Sequence, residues 1–193
     1  GDQLKNIFSK IKKINLSNDA AEIMKISLLT NSHLPKKNIS ETEFLKFKSD
    51  WLIQNSDLDL IEEYLIKNQI FNVHPELVSF LVNQYLSEAK IKNACELFSK
   101  NSEVINDDYL SKFNIYCLID NNRKDEAQII FDLKKEQGFK NKYFEKKINY
   151  LFGYEEKIDE TISEKSILDF HLAHRTNPNF SFEPNEKTNK LIW

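Results

Sequence analysis

Apolar residues along this chain recur at helical spacing. Ile7, Ile11 and Ile14 fall on one stripe, and Asn15 to Asn18 interrupt it. Ser17 or Asn18 is placed to cap a second helix whose apolar residues are Ala21, Ile23, Met24, Ile26, Leu28 and Leu29. Alternation of the strand kind, bounded by Gly or Asn-Gly turns, is missing throughout. The pattern predicts an all-α chain.

A longer period overlies the helical one. Shifted by 33 residues, Phe44, Leu77 and Leu110 align, as do Phe47, Phe80 and Phe113. Leu52, Tyr85 and Leu118 follow, then Ile53, Leu86 and Ile119. In a second helix, Ile61, Ala94 and Ala127 align, then Tyr64, Leu97 and Ile130, then Leu65, Phe98 and Phe131. Random placement would give roughly two such columns, against the seven seen. Polar turns separate the two helices of each unit at Gln54 to Asp57, Ser87 to Lys90 and Asp120 to Arg123. Pro75 suits the first turn of a helix, where its missing N–H costs nothing.

The unit is therefore a helical hairpin that must bury its apolar face on its neighbours. This predicts a right-handed α-solenoid of stacked antiparallel hairpins with a period of about 33, as one domain over 1–193. Within it, 1–39 reads as a degenerate N-terminal helical pair, 40–152 as regular repeats, and 153–193 as a degenerate C-terminal helix and loop. Tyr143, Tyr150 and Leu151 keep the first helix of a fourth unit, and Gly153 sits where its turn begins. A last helix is expected from about Glu164 to His174. The expected core is Phe47, Leu52, Phe80, Tyr85, Phe98, Phe113, Leu118 and Phe131. The chain begins with Gly1 rather than Met and stops at Leu191-Ile192-Trp193, which reads as a piece excised from a longer chain.

Composition narrows the classes. Three glycines leave no room for a Gly-rich phosphate loop. A net charge of -3, with Arg123 and Arg175 the only arginines, disfavours nucleic acid as a partner. No run approaches the roughly 18 to 20 apolar residues of a membrane span.

The second unit carries Leu81, Tyr85, Ala94 and Phe98, and the third Leu118, Ala127 and Phe131. This resembles the tetratricopeptide pattern, in which a small residue lets two helices approach and an aromatic fills the next groove. That family's early Trp, its Gly and its closing Pro are absent, and the period is 33 rather than 34. Whole segments carry a second resemblance: Asn93-Ala94-Cys95, Tyr109-Leu110-Ser111-Lys112 through Cys117, Glu126-Ala127 through Gly138, and Ser166 to Ala173. They are similar to an uncharacterised alphaproteobacterial family of helical-repeat proteins, whose full chains are longer and start with an export signal. The resemblance implies a periplasmic or envelope location; without export the chain would be cytoplasmic.

Candidate chemistry is sparse. His171 and His174 share a helix face, but the sequence offers no third or fourth ligand, so no metal site is expected. Adjacent acidic pairs such as Glu62-Glu63 and Asp107-Asp108 diverge by about 100° on a helix and read as solvated faces or caps. The basic stretch from Lys134 to Lys147 is broken up by glutamates and reads as solvated surface. Cys95 and Cys117 lie on adjacent helices of such a stack, so their sulfurs come within reach of each other. A disulfide and two small semi-buried side chains both remain open, with export favouring the bridge.

In a tetratricopeptide-like stack the first helix of each unit lines a groove. Non-core positions there are Glu43, Lys46 and Asp50, then Glu76, Ser79 and Asn83, then Tyr109, Lys112 and Tyr116. Asn83, Tyr109, Lys112 and Tyr116 are the partner-binding candidates, mixing polar groups with aromatic anchors. The expected function is a protein-interaction or scaffolding module with no cofactor and no catalysis. The alternative is a helical accessory domain of a cell-envelope enzyme whose active site lies elsewhere in the full chain.

Overall fold

The computed structural model describes residues 1–30 and 33–192; the chain end at Trp193 lies outside them. Among the described residues, ten α-helices follow one another: α1 (Asp2–Ile11), α2 (Asn18–Leu29), α3 (Glu41–Asn55), α4 (Leu58–Asn68), α5 (Pro75–Ser87), α6 (Ile91–Ser99), α7 (Asp108–Asp120), α8 (Lys124–Glu136), α9 (Lys142–Phe152) and α10 (Ile167–Thr176). A 3-10 turn spans Lys190–Ile192, and no strand occurs among the described residues. The protein is all-α. The sequence treats 1–193 as one domain; by packing, the chain divides into two compact units, Gly1–Leu81 and Val82–Trp193, with the division inside α5.

Short polar side chains set the helix starts. Ser17, Ser40, Asp57, Asp107, Asn141 and Ser166 each accept a hydrogen bond from a backbone N–H in the first turn that follows. Ser40 and Glu43 form a reciprocal capping box. Because Ser166 is the cap, α10 starts at Ile167, later than the sequence predicts, and continues to Thr176. Several helices end through a residue in the left-handed conformation. Ala89 (φ 56°) and Asn122 (φ 60°) occupy equivalent places after α5 and α7. In each, the next N–H bonds five residues back: Lys90 N to Tyr85 O at 2.8 Å, and Arg123 N to Leu118 O at 2.8 Å. Gly153 closes α9 in the same way at φ 90°, where glycine carries no steric penalty.

Three of the seven 33-residue columns are buried throughout, and each of the other four has one half-buried member: Phe44, Phe80, Ile53 or Ile130. Leu52, Tyr85 and Leu118 are all buried, as are Ile61, Ala94 and Ala127, and Leu65, Phe98 and Phe131. Phe80 is only half-buried, and its neighbours Leu77 and Leu81 are fully buried. On α2, Leu28 is the one buried residue, while Ile23 and Ile26 face solvent. Their spacing carries apolar side chains around the helix, so one neighbour cannot cover them all.

In the second unit, α7 is enclosed on nearly every side. Leu110 to Phe113 and Ile115 to Ile119 are all buried, a pattern that requires packing partners around the whole helix. Phe113 is fully buried and meets Phe98 edge-on at 5.2 Å between ring centroids. Phe113→Ala should therefore cost about 3–5 kcal/mol in a urea unfolding titration, and Phe80→Ala distinctly less. Equal losses at the two positions would refute this assignment of the core.

Candidate functional site

The four partner-binding candidates meet on α5 and α7, but they do not form an open face. Tyr109 Oη donates to Asn83 Oδ1. Lys112 Nζ lies 3.4 Å from Asp169 Oδ1, with both side chains at most 10% exposed, and sits 5.7 Å from the Tyr109 ring centre. Tyr116 Oη and His171 Nε2 are 2.9 Å apart. Asp120, the next residue on this α7 stripe, faces Arg175 at 3.5 Å. Lys112 and Tyr116 are thus buried, which corrects their reading as non-core positions. The cause is α10, which returns after the non-helical stretch 153–166 to cover this face of α7. It also receives the Tyr143 hydroxyl of α9, which donates to Asp169 O at 2.8 Å.

Burial governs the electrostatics of this seam. It pushes the Tyr116 hydroxyl up to about 12, with Asp120 adding to the effect. Tyr109 and Tyr143 are raised by burial and then by the Asp169 charge. Burial, then the neighbouring His174 and Arg175, pulls His171 down to about 4. His174 lies instead against Phe180, with ring centroids 5.2 Å apart, so the two histidines meet different groups. Among the described residues, no group of three or more His, Cys, Asp or Glu is placed to hold a metal ion. Lys147 departs from the solvated reading of its stretch. It is buried, donates to Asp159 O, and lies 3.8 Å from Asp159 Oδ1.

Beside the covered face lies an open cleft of about 710 Å³, lined by Tyr109, Lys112, Lys134, Phe139, Lys140 and Asn141 among others. It is the accessible part of the candidate surface. Known proteins supply no template for it: no family model, curated protein or solved structure matches this chain. Geometry and chemistry alone decide what the site is able to do. The cleft combines the rings of Tyr109 and Phe139 with the exposed Lys140, while Lys112 and Lys134 are paired with Asp169 and Asp108.

The two cysteines do meet. Cys95 on α6 and Cys117 on α7 form a disulfide, with Cα atoms 5.3 Å apart and both residues buried. The bond closes a loop with a sequence separation of 22 and ties two helices that also share the Phe98–Phe113 contact.

In the first unit, the corresponding stripe of α3 is covered by α1. Lys5 pairs with Glu43 at 2.9 Å and Lys12 with Asp50 at 3.1 Å, while Phe8 stacks on Phe47 with centroids 3.5 Å apart. Asp50 also meets Lys46 at 3.2 Å. Burial would raise the Asp50 carboxyl, but Lys12 and Lys46 outweigh it and lower it. The Glu43 carboxyl is held at about 2 by the Ser40 N–H, then by Lys5. Exposed pairs of this kind are screened by solvent and contribute little; the ring stack contributes about 0.5–1.5 kcal/mol.

A buried polar cluster that no sequence motif marks also lies in this unit. Ser49 Oγ is 3.0 Å from His74 Nδ1, and Tyr64 Oη is 3.4 Å from His74 Nε2. Lys48 Nζ stands 4.6 Å from the centre of the Tyr64 ring. The members come from α3, α4 and the turn before α5, too far apart in sequence to be seen as a group. Burial, then the Lys48 charge, pulls His74 down to about 4; burial also lowers Lys48 to about 8 and raises Tyr64 to about 12. Ser49 is fully buried, so a Ser–His pair here cross-links helices and presents no nucleophile to a substrate.

Two outcomes follow from these groups. The unfolded chain binds more protons at His74 between pH 6.5 and about 4, so the stability due to its neutral burial is complete above 6.5 and is lost as pH falls to about 4. Lowering the pH from 7 to 5 should remove on the order of 2 kcal/mol through this residue, and urea titrations of His74→Gln should show a flatter pH dependence. An unchanged slope would show that His74 is not the group responsible. Replacing both Cys95 and Cys117 by Ser should cost about 3 kcal/mol on loop-entropy grounds. A double variant as stable as the parent would refute that contribution.

Proposed function

We propose that this chain is a protein-interaction or scaffolding module. Its hairpins stack as a tetratricopeptide-like solenoid and bind a partner through side chains of the first helix of each unit, with no covalent chemistry of their own. The observation that carries this reading is the spacing of helix starts. α3, α5, α7 and α9 begin at Glu41, Pro75, Asp108 and Lys142, and α4, α6 and α8 at Leu58, Ile91 and Lys124. The matching left-handed ends at Ala89 and Asn122 support the same repeat. Repeated hairpins offer a row of equivalent side-chain positions, the means by which such stacks engage extended or helical segments.

The binding surface is the open cleft beside that row, where Tyr109 of α7 stands near Lys134 of α8 and Phe139 and Lys140 of the α8–α9 connection. The Cys95–Cys117 disulfide supports folding in an oxidising compartment, in keeping with a periplasmic or envelope location.

Crosslinking in the protein's own cells, affinity capture and mass spectrometry test the reading. One envelope protein or complex should be enriched reproducibly. Its recovery should fall at least ten-fold for a Tyr109→Ala, Lys140→Glu variant that melts like the parent. If nothing is enriched, or the variant captures the same protein equally well, the interaction reading is rejected.

A further inference from the structure

The two terminal helices cover equivalent stripes, each within its own unit, but they are held very differently. α10 contributes six buried residues, including Leu168, Leu172 and the Asp169 partner of Lys112. α1 contributes none. Its hold on α3 includes the contacts of Phe8 with Phe44 and Phe47 and two ion pairs whose side chains remain 26–54% exposed, while Leu4, Phe8 and Ile11 are only half-buried. Ile7 on α1 and Ile14 just after it face solvent. A helix as short as α1 is marginal by itself in water, so its position depends on these few contacts. α10 is part of the core; α1 rests on it.

The contacts also define what the α3 face accepts. α1 runs parallel to α3 in fixed register: Asp2 meets Asn38, Lys5 meets Glu43, Phe8 meets Phe47 and Lys12 meets Asp50. Two carboxylates two helical turns apart bracket an aromatic platform of Phe44 and Phe47. The complement is a helix with lysines or arginines two turns apart and an aromatic residue between them.

We propose that the α3 face of Glu43, Phe44, Phe47 and Asp50 is a docking site for a basic amphipathic helix of a partner protein, with α1 as its displaceable resident. The inference rests on the protein-binding reading and names the partner class for a second surface. α1 is joined to α3 through α2 in the same chain, which keeps it at high effective concentration. A competing helix therefore needs contacts beyond those of α1.

The test uses the full chain and a labelled peptide of residues 1–14. In a Lys5→Glu, Phe8→Asp, Lys12→Glu variant, α1 is released, and fluorescence anisotropy should show the peptide binding at least ten-fold more tightly than to the parent. Binding should weaken with salt and disappear when Glu43→Lys and Asp50→Lys are added. Hydrogen exchange on the unaltered chain gives an independent reading: α1 amides should exchange at least a hundred-fold faster than those in the middle of α3. Equal protection of the two helices, loss of the cooperative melt in the released variant, or no gain in peptide binding each overturns the proposal. Capture of a partner through the Tyr109 cleft in the absence of peptide binding would reject this inference alone; failure of both experiments would reject the protein-binding reading as well.

Discussion

α7 has almost no solvent face, and the second unit is organised around that fact. Cys117 is bonded to Cys95 on one side, Phe113 packs against Phe98, and Lys112, Tyr116 and Asp120 turn toward α10. A helix enclosed in this way cannot leave polar side chains unpartnered. Ser111 Oγ donates to Ile105 O at 3.0 Å, Lys112 meets Asp169, and Tyr116 meets His171. A buried ion pair adds little net stability, because desolvation offsets the attraction, but separating its partners leaves an uncompensated charge. Moving α10 off α7 would leave Lys112 or Asp169 as such a charge.

The first unit shows the same requirement met with different groups. His74 links Ser49 of α3 to Tyr64 of α4, and the cluster is neutral at the histidine because burial disfavours its charged form. Lys48 lies along the Tyr64 ring, which supplies a favourable electrostatic surface to a partly desolvated ammonium group. By contrast, the contacts of α1 lie near solvent, where ion pairs are screened and contribute little. Burial thus separates helices that are integral from one that merely rests on its neighbour.

His74 and His171 are held neutral by burial, and Ser49 beside His74 is itself fully buried. An open cleft lies beside Tyr109 and Phe139, and the Glu43, Phe47 and Asp50 side of α3 is covered by α1, a helix with no buried residue.

The sequence by itself determined the helices, because local forces set them. Apolar spacing, Ser and Asp caps, and polar turns mark α3 to α9, and the columns at Leu52, Ile61 and Leu65 identify positions that are buried at all three of their members. Tertiary structure decided which remaining faces see solvent. Lys112 and Tyr116 read as exposed because a repeat pattern describes only neighbours one hairpin away, whereas α10 reaches α7 from 55 or more residues further along the chain. The same limit hid the Ser49–His74–Tyr64 cluster, whose members are 10 to 25 residues apart. Phe80 and the isoleucines of α2 occupy apolar positions that no partner fully covers. Local sequence fixes where a helix begins and which stripe is apolar; only packing across long chain separations fixes what that stripe meets.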